Sequence, residues 1–157
     1  MSMMTISMEV EPCLARYMYA RYASCVREGA IKLSFRDNLY SLLLNLTAPR
    51  PKSVSWRETG NLKLALPVPD KGKDPRTYNY LSAESIHYFM GKVNDQMRRE
   101  MIMYMQDEKY KRGVMFKHSL VQFIEDYGME DLINEDTLMK HFQLYRKKEK
   151  ERRKRRE

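Results

Sequence analysis

The chain has 157 residues, 43% hydrophobic and 32% charged, with a mean hydropathy of −0.70 and a formal net charge of +8. That length can bury a core without disulfides or metal, the composition is globular rather than disordered, and no apolar run nears the roughly 18 residues of a bilayer span. The charge is uneven: Arg146 to Glu157 holds nine of the 29 Lys/Arg and three of the 21 Asp/Glu, so this tail carries +6 of the +8 and the body is nearly neutral.

The opening MSMMTISMEVE has neither a basic n-region nor an apolar h-region. It reads as the start of a folded cytoplasmic chain rather than a signal peptide. Thr5 to Val10 alternates, with Ile6, Met8 and Val10 on one face, and predicts a strand. Pro12 suits the first turn of a helix reaching Ala23, with Leu14, Met18, Tyr17 and Tyr22 inward. Cys13 and Cys25 match no zinc spacing and read as thiols; His87, His118 and His141 are scattered, so no metal or cofactor is expected. Ala30 to Leu33 is a short strand. Ser34 reads as the N-cap of a helix through Leu46, with Asp37 in its first turn and Leu39, Leu42, Leu43 and Leu46 as its apolar face.

Thr47 to Gly60 is a polar break containing Pro49 and Pro51. Asn61 to Val68 alternates as a strand, with Leu62, Leu64, Leu66 and Val68 on one face, and Pro67 marks an edge. A second break, Pro67 to Thr77, holds three prolines and Gly72 and is the expected domain boundary. The chain beyond it reads as all helix. Ser82 caps a helix to about Glu108, whose stripe is Ile86, Phe89, Met90, Val93, Met97, Met101, Tyr104 and Met105. Phe116 to Tyr127 is a shorter helix ended by Gly128. Asn134 caps a last helix with Glu135 and Asp136 in its first turn, running into the tail. The expected class is α+β: a mixed βαβαβ-like part at 1–70, a helical part at 78–146 and a basic tail at 147–157.

The last two helices outline a helix-turn-helix, the second presenting Lys140, Gln143, Arg146, Lys147 and Lys148 outward. Gln and Arg suit base edges, and Lys and Arg suit phosphates. Arg152, Arg153, Lys154, Arg155 and Arg156 extend the set into the tail and add phosphate affinity that falls with salt. Glu149 and Glu151 are placed to pair with Arg153 and Arg155 at i, i+4. Two features count against base reading at the helix start: Glu135 and Asp136 repel phosphate there, and the Gly128–Ile133 turn has six residues instead of three or four. The bland alternative is an αα-hairpin that only packs.

Met97, Met101, Met103 and Met105 crowd one helix, which suggests a core, a partner surface or a homodimer seam. Tyr17, Tyr19 and Tyr22 beside Arg16 and Arg21 suit base stacking or, more simply, packing. No phosphate loop, HExxH or GxSxG is present. His141 and Tyr145 four apart share a helix face without making a nucleophile site.

The segment FKHSLVQFIEDYGMEDLINEDTLMKHFQLYRKK (Phe116–Lys148) resembles the C-terminal helix pair of small basic proteins of phages and mobile elements of Bacteroidetes-type bacteria. The shared pattern is an apolar helix ending in D-Y-G, an acidic turn, then T-L, an aromatic pair and R-K-K, over about a fifth of the chain. Such proteins are generally uncharacterised or presumed DNA-binding, so the resemblance implies that setting more than a mechanism. The expected function is that of a non-enzymatic DNA-binding accessory or regulatory protein with duplex DNA as partner; the rival is an adaptor that binds another protein through the Met-rich helix.

Overall fold

A computed structural model describes residues 3–55, 59–69 and 72–156. The chain forms two compact units, 1–96 and 97–157. The Pro67–Thr77 stretch lies inside the first unit rather than dividing the chain, and the division falls within a long helix.

The first unit holds the α+β part. A four-stranded sheet has the order β1-β5-β3-β2, from β1 (Thr5–Met8), β2 (Val26–Arg27), β3 (Ala30–Ile31) and β5 (Leu62–Ala65). β5 pairs antiparallel with β1 and parallel with β3, where Ile31 faces Leu64. Strand β5 is therefore interior, not an edge. Pro67 lies beyond its last residue, so no ladder bond is lost, and Val68 is 72% exposed instead of facing the core. Asn61 extends the ladder without a backbone pair: its side chain accepts from Val10 N at 2.8 Å and donates to Val10 O at 2.7 Å. The neighbouring Gly60 lies so close to Met8 that an added Cβ would stand 2.4 Å from its carbonyl oxygen.

Two pairings escape the periodicity. β2 and β3 form a hairpin across Glu28 and Gly29, both at positive φ, as a two-residue turn requires. The first proline-bearing break contains β4 (Ala48–Pro49), which pairs antiparallel with β6 (Tyr78–Tyr80), so the chain after Thr77 is not all helix.

Helix α1 (Pro12–Arg21) starts on Pro12 and buries Leu14, Tyr17 and Met18. A 3-10 turn follows at Ala23–Cys25 in place of a longer helix. Helix α2 (Asn38–Leu46) begins three residues later than Ser34 implies. Asp37 is its cap, accepting from Leu39 N at 2.8 Å, while Ser34 closes the preceding turn by accepting from Asp37 N and Arg36 N. Aspartate at an N-cap satisfies an orphan amide and faces the positive end of the helix. Leu39 and Leu43 are buried and Leu42 and Leu46 half-buried. Cys13 is buried and Cys25 half-buried, with no disulfide between them.

A polar chain runs through this core. Gln96 donates to the Tyr17 and Tyr22 hydroxyls, each at 3.1 Å, and Tyr22 donates to Asp37 Oδ2 at 2.8 Å. Burial, then the neighbouring Asp37 carboxylate, pushes the Tyr22 phenol up to about 12 against the opposing Gln96 bond. Tyr17 and Tyr22 are thus buried packing residues rather than base-stacking ones.

Helix α3 (Ala83–Arg112) is capped by Ser82, whose Oγ accepts from Ser85 N at 3.1 Å, and it runs a turn past Glu108 before Gly113 stops it at φ 71°. The second unit comprises the later part of α3 with α4 (Phe116–Asp126) and α5 (Glu135–Arg156). Met97, Met101, Met105, Leu120, Phe123, Met129, Leu138 and Phe142 are all at most 2% exposed. α4 ends in a Schellman motif: Gly128 at φ 65° donates to Glu125 O, and Met129 donates to Ile124 O. Asn134 Oδ1 accepts from Thr137 N at 3.2 Å and caps α5.

Candidate nucleic-acid interface

α5 is tethered by its first half alone. Leu138 and Phe142 are its buried residues, and Phe142 packs edge-on against Phe116 at 4.7 Å between ring centroids. Arg98 Nη1 of α3 lies 2.9 Å from His141 Nδ1. A guanidinium only donates, so Nδ1 accepts and the neutral imidazole carries its proton on Nε2. Past Tyr145, every described residue except the half-buried Glu149 is exposed. That stretch, 146–156, adds about 16 Å of helix at 1.5 Å per residue.

The residues expected to meet nucleic acid are all exposed, but they do not share one face. Lys140, Gln143, Lys147 and Lys154, spaced 3, 4 and 7 apart, line the side opposite Leu138 and Phe142. Lys148, Arg152 and Arg155 take one flank by the same spacing, and Arg146 and Arg153 the other. Arg156 extends the cations toward the buried side, so the tail is cationic all round. Its ion pairing also differs from the i, i+4 pattern: Glu149 takes Arg152 at i+3, at 2.8 Å, rather than Arg153. Arg146 hydrogen-bonds Gln143 Oε1 at 3.4 Å.

Charge polarises the second unit along its helices. The α4–α5 connection, from Glu125 to Asp136, carries six carboxylates and no Lys or Arg. The α3–α4 corner, Lys109 to His118, carries Lys109, Lys111, Arg112 and Lys117, all exposed, with Lys111 and Arg112 paired to Asp107 and Glu108 of the preceding turn. α4 runs from the basic end to the acidic end, and α5 returns. The start of α5, which a helix-turn-helix inserts into the major groove, therefore sits at the acidic end with Glu135 and Asp136 on it. The turn is also wider than that motif allows. Schellman closure uses Gly128 and Met129, and a second turn follows, with Asp131 at φ 62° and Leu132 N bonded to Met129 O, before Asn134 caps the helix.

The two ends of the basic face meet at one ring. Lys109 Nζ lies 5.8 Å from the Phe116 centroid, and the Arg146 guanidinium carbon lies 4.8 Å from it. Arg146 alone of the two belonged to the expected set; Lys109 and Phe116 did not. The composition of KYKRGVMFKH carries a signal for the corner, but its meeting with residue 146 is a tertiary fact.

Of the crowded methionines, Met97, Met101 and Met105 are fully buried and Met103 is 64% exposed, so the run is chiefly core. Among the described residues no group of three or more His, Cys, Asp or Glu is placed to hold a metal ion, and no helix is long and apolar enough to cross a membrane. Comparison of the chain with protein-family models, curated proteins and solved structures finds no match.

Proposed function

We propose that the protein is a non-enzymatic nucleic-acid-binding accessory or regulatory factor with duplex DNA as its partner, and that binding uses the basic end of the second unit and not the start of α5. The observation that carries this reading is the segregation of charge. Six carboxylates gather at one end of the α4–α5 hairpin, while Lys109, Lys111, Arg112 and Lys117 join the tail cations at the other. Phosphate is attracted to the second end and repelled from the first. Lys140, Gln143 and Lys147 lie along the helix between the two, so base contact, where it occurs, falls at mid-helix. The cations surrounding α5 favour the phosphate backbone over sequence.

Titration of a labelled duplex with the full chain and with a chain lacking residues 146–157 tests this reading. The full chain is expected to bind at low salt, and the shortened chain is expected to keep weak binding through the corner lysines. Failure of the full chain to bind at low salt overturns the proposal. A change of preferred sequence on Gln143→Ala would show that mid-helix base reading contributes.

A further inference from the structure

We infer that Lys109 and Arg146 form a clamp for one backbone phosphate of the duplex, with Phe116 as its floor; the inference rests on the nucleic-acid reading above. The two cations come from residues 37 apart in sequence, one in the last turn of α3 and the other past the last buried residue of α5. Both lie within 6 Å of the centre of the same ring, at 5.8 and 4.8 Å. Among the described residues, neither forms an ion pair with a carboxylate, whereas the neighbouring Lys111 and Arg112 are paired with Asp107 and Glu108.

Two like charges drawn to one ring repel each other, and the weak attraction of the ring quadrupole at an exposed contact offsets only part of that. An anion between them removes the repulsion. The surroundings select its class. Phe116 is engaged edge-on by Phe142 and by both cations, which leaves less of its ring for a base to stack on. A tetrahedral phosphate oxyanion accepts from an ammonium and a guanidinium together. Lys117, next to Phe116 in sequence, adds a further positive charge at the start of α4, which has no acidic residue in its first turn and no side-chain cap. The bases are not touched, so the clamp fixes where the duplex sits and not which sequence it has.

The test compares the full-length protein with Lys109→Gln, Arg146→Gln and the double variant, each titrated with one duplex across a salt series. Each single change is expected to reduce the slope of log K against log salt by about one, and to weaken binding equally for unrelated duplex sequences. Because both side chains hold the same phosphate, the double change is also expected to reduce the slope by about one and not two. An unchanged slope in Lys109→Gln, with the parent protein still binding, overturns the clamp and leaves the functional reading standing. Additive losses in the double variant overturn the shared phosphate. A parent protein that does not bind duplex overturns the functional reading itself. A parallel titration with inorganic phosphate, read from the Phe116 ring proton shifts, separates the two sources of the anion. Saturable shifts with phosphate and none with duplex would overturn the assignment to nucleic acid.

Discussion

Replacing Lys73 by methionine isolates one ammonium that closes a helix. Its Nζ donates to three carbonyls at the end of α2: Leu44 at 2.9 Å, Asn45 at 3.0 Å and Thr47 at 2.9 Å. The last carbonyls of a helix have no internal partner and carry the negative end of the dipole. A tetrahedral ammonium has three donors and uses all of them here. Hydrogen bonds to a charged group are worth about 1.5–3 kcal/mol each when nothing replaces them. Replacement is available, however: Thr47 Oγ1 also donates to Leu44 O at 2.8 Å, and Asn45 is exposed to water. The net loss in Lys73→Met is therefore about 2 kcal/mol, roughly one strong bond instead of three. The methionine keeps most of the apolar stem, so the loss reports the charge. Urea unfolding followed by circular dichroism should show a lower midpoint at unchanged slope. Lys73→Arg should restore less than half of the loss, because a planar fork does not converge on three carbonyls. A Lys73→Met midpoint equal to the parent's would refute the reasoning, and would mean that water serves these carbonyls as well as the ammonium does.

Three further outcomes follow from the packing. Gly60→Ala places a methyl 2.4 Å from the Met8 carbonyl oxygen and must move backbone, so it should cost about 1–3 kcal/mol by thermal or urea unfolding, despite the exposed position. Phe142→Ala empties a fully buried site against Phe116 and should cost about 3–5 kcal/mol, read as loss of helical circular dichroism at lower denaturant. Tyr22 holds its proton more tightly in the folded chain, at about 12 against an ordinary 10.0. Its stabilising term is therefore full below pH 10 and is lost as pH rises from about 10 to about 12, worth roughly 2 kcal/mol. Tyr22→Phe should destabilise the protein at neutral pH and flatten that alkaline decline; an equally steep decline in the variant would contradict it.

Local chemistry was legible in the sequence. Pro12, Ser82 and Asn134 start their helices, and Gly128 ends one, because each acts on amides or carbonyls within a few residues. Ser34 misled for the same reason: a hydroxyl and a carboxylate three residues apart both suit a cap, and only the geometry shows that Asp37 takes the amide. β4 and β6 could not be read, since Ala48 finds Tyr80 across thirty-one intervening positions and each strand is too short for a period. β3 was legible as part of the Ala30–Leu33 strand, but its pairing with the two-residue β2 was not, because the Glu28–Gly29 turn lacks the usual Asn-Gly or Asp-Gly signal. At the candidate interface, the exposure of Lys140, Gln143, Arg146, Lys147 and Lys148 and of the tail followed from helical spacing. The common ring beneath Lys109 and Arg146 did not, because it depends on how α3, α4 and α5 pack.

The most direct test of nucleic-acid binding is the salt dependence of the full-length protein on a single duplex. About five of the exposed cations at the basic end can face one duplex at a time, so log K should fall with log salt at a slope of roughly −4 to −5. A slope near zero, or no binding at about 50 mM salt, would contradict the account.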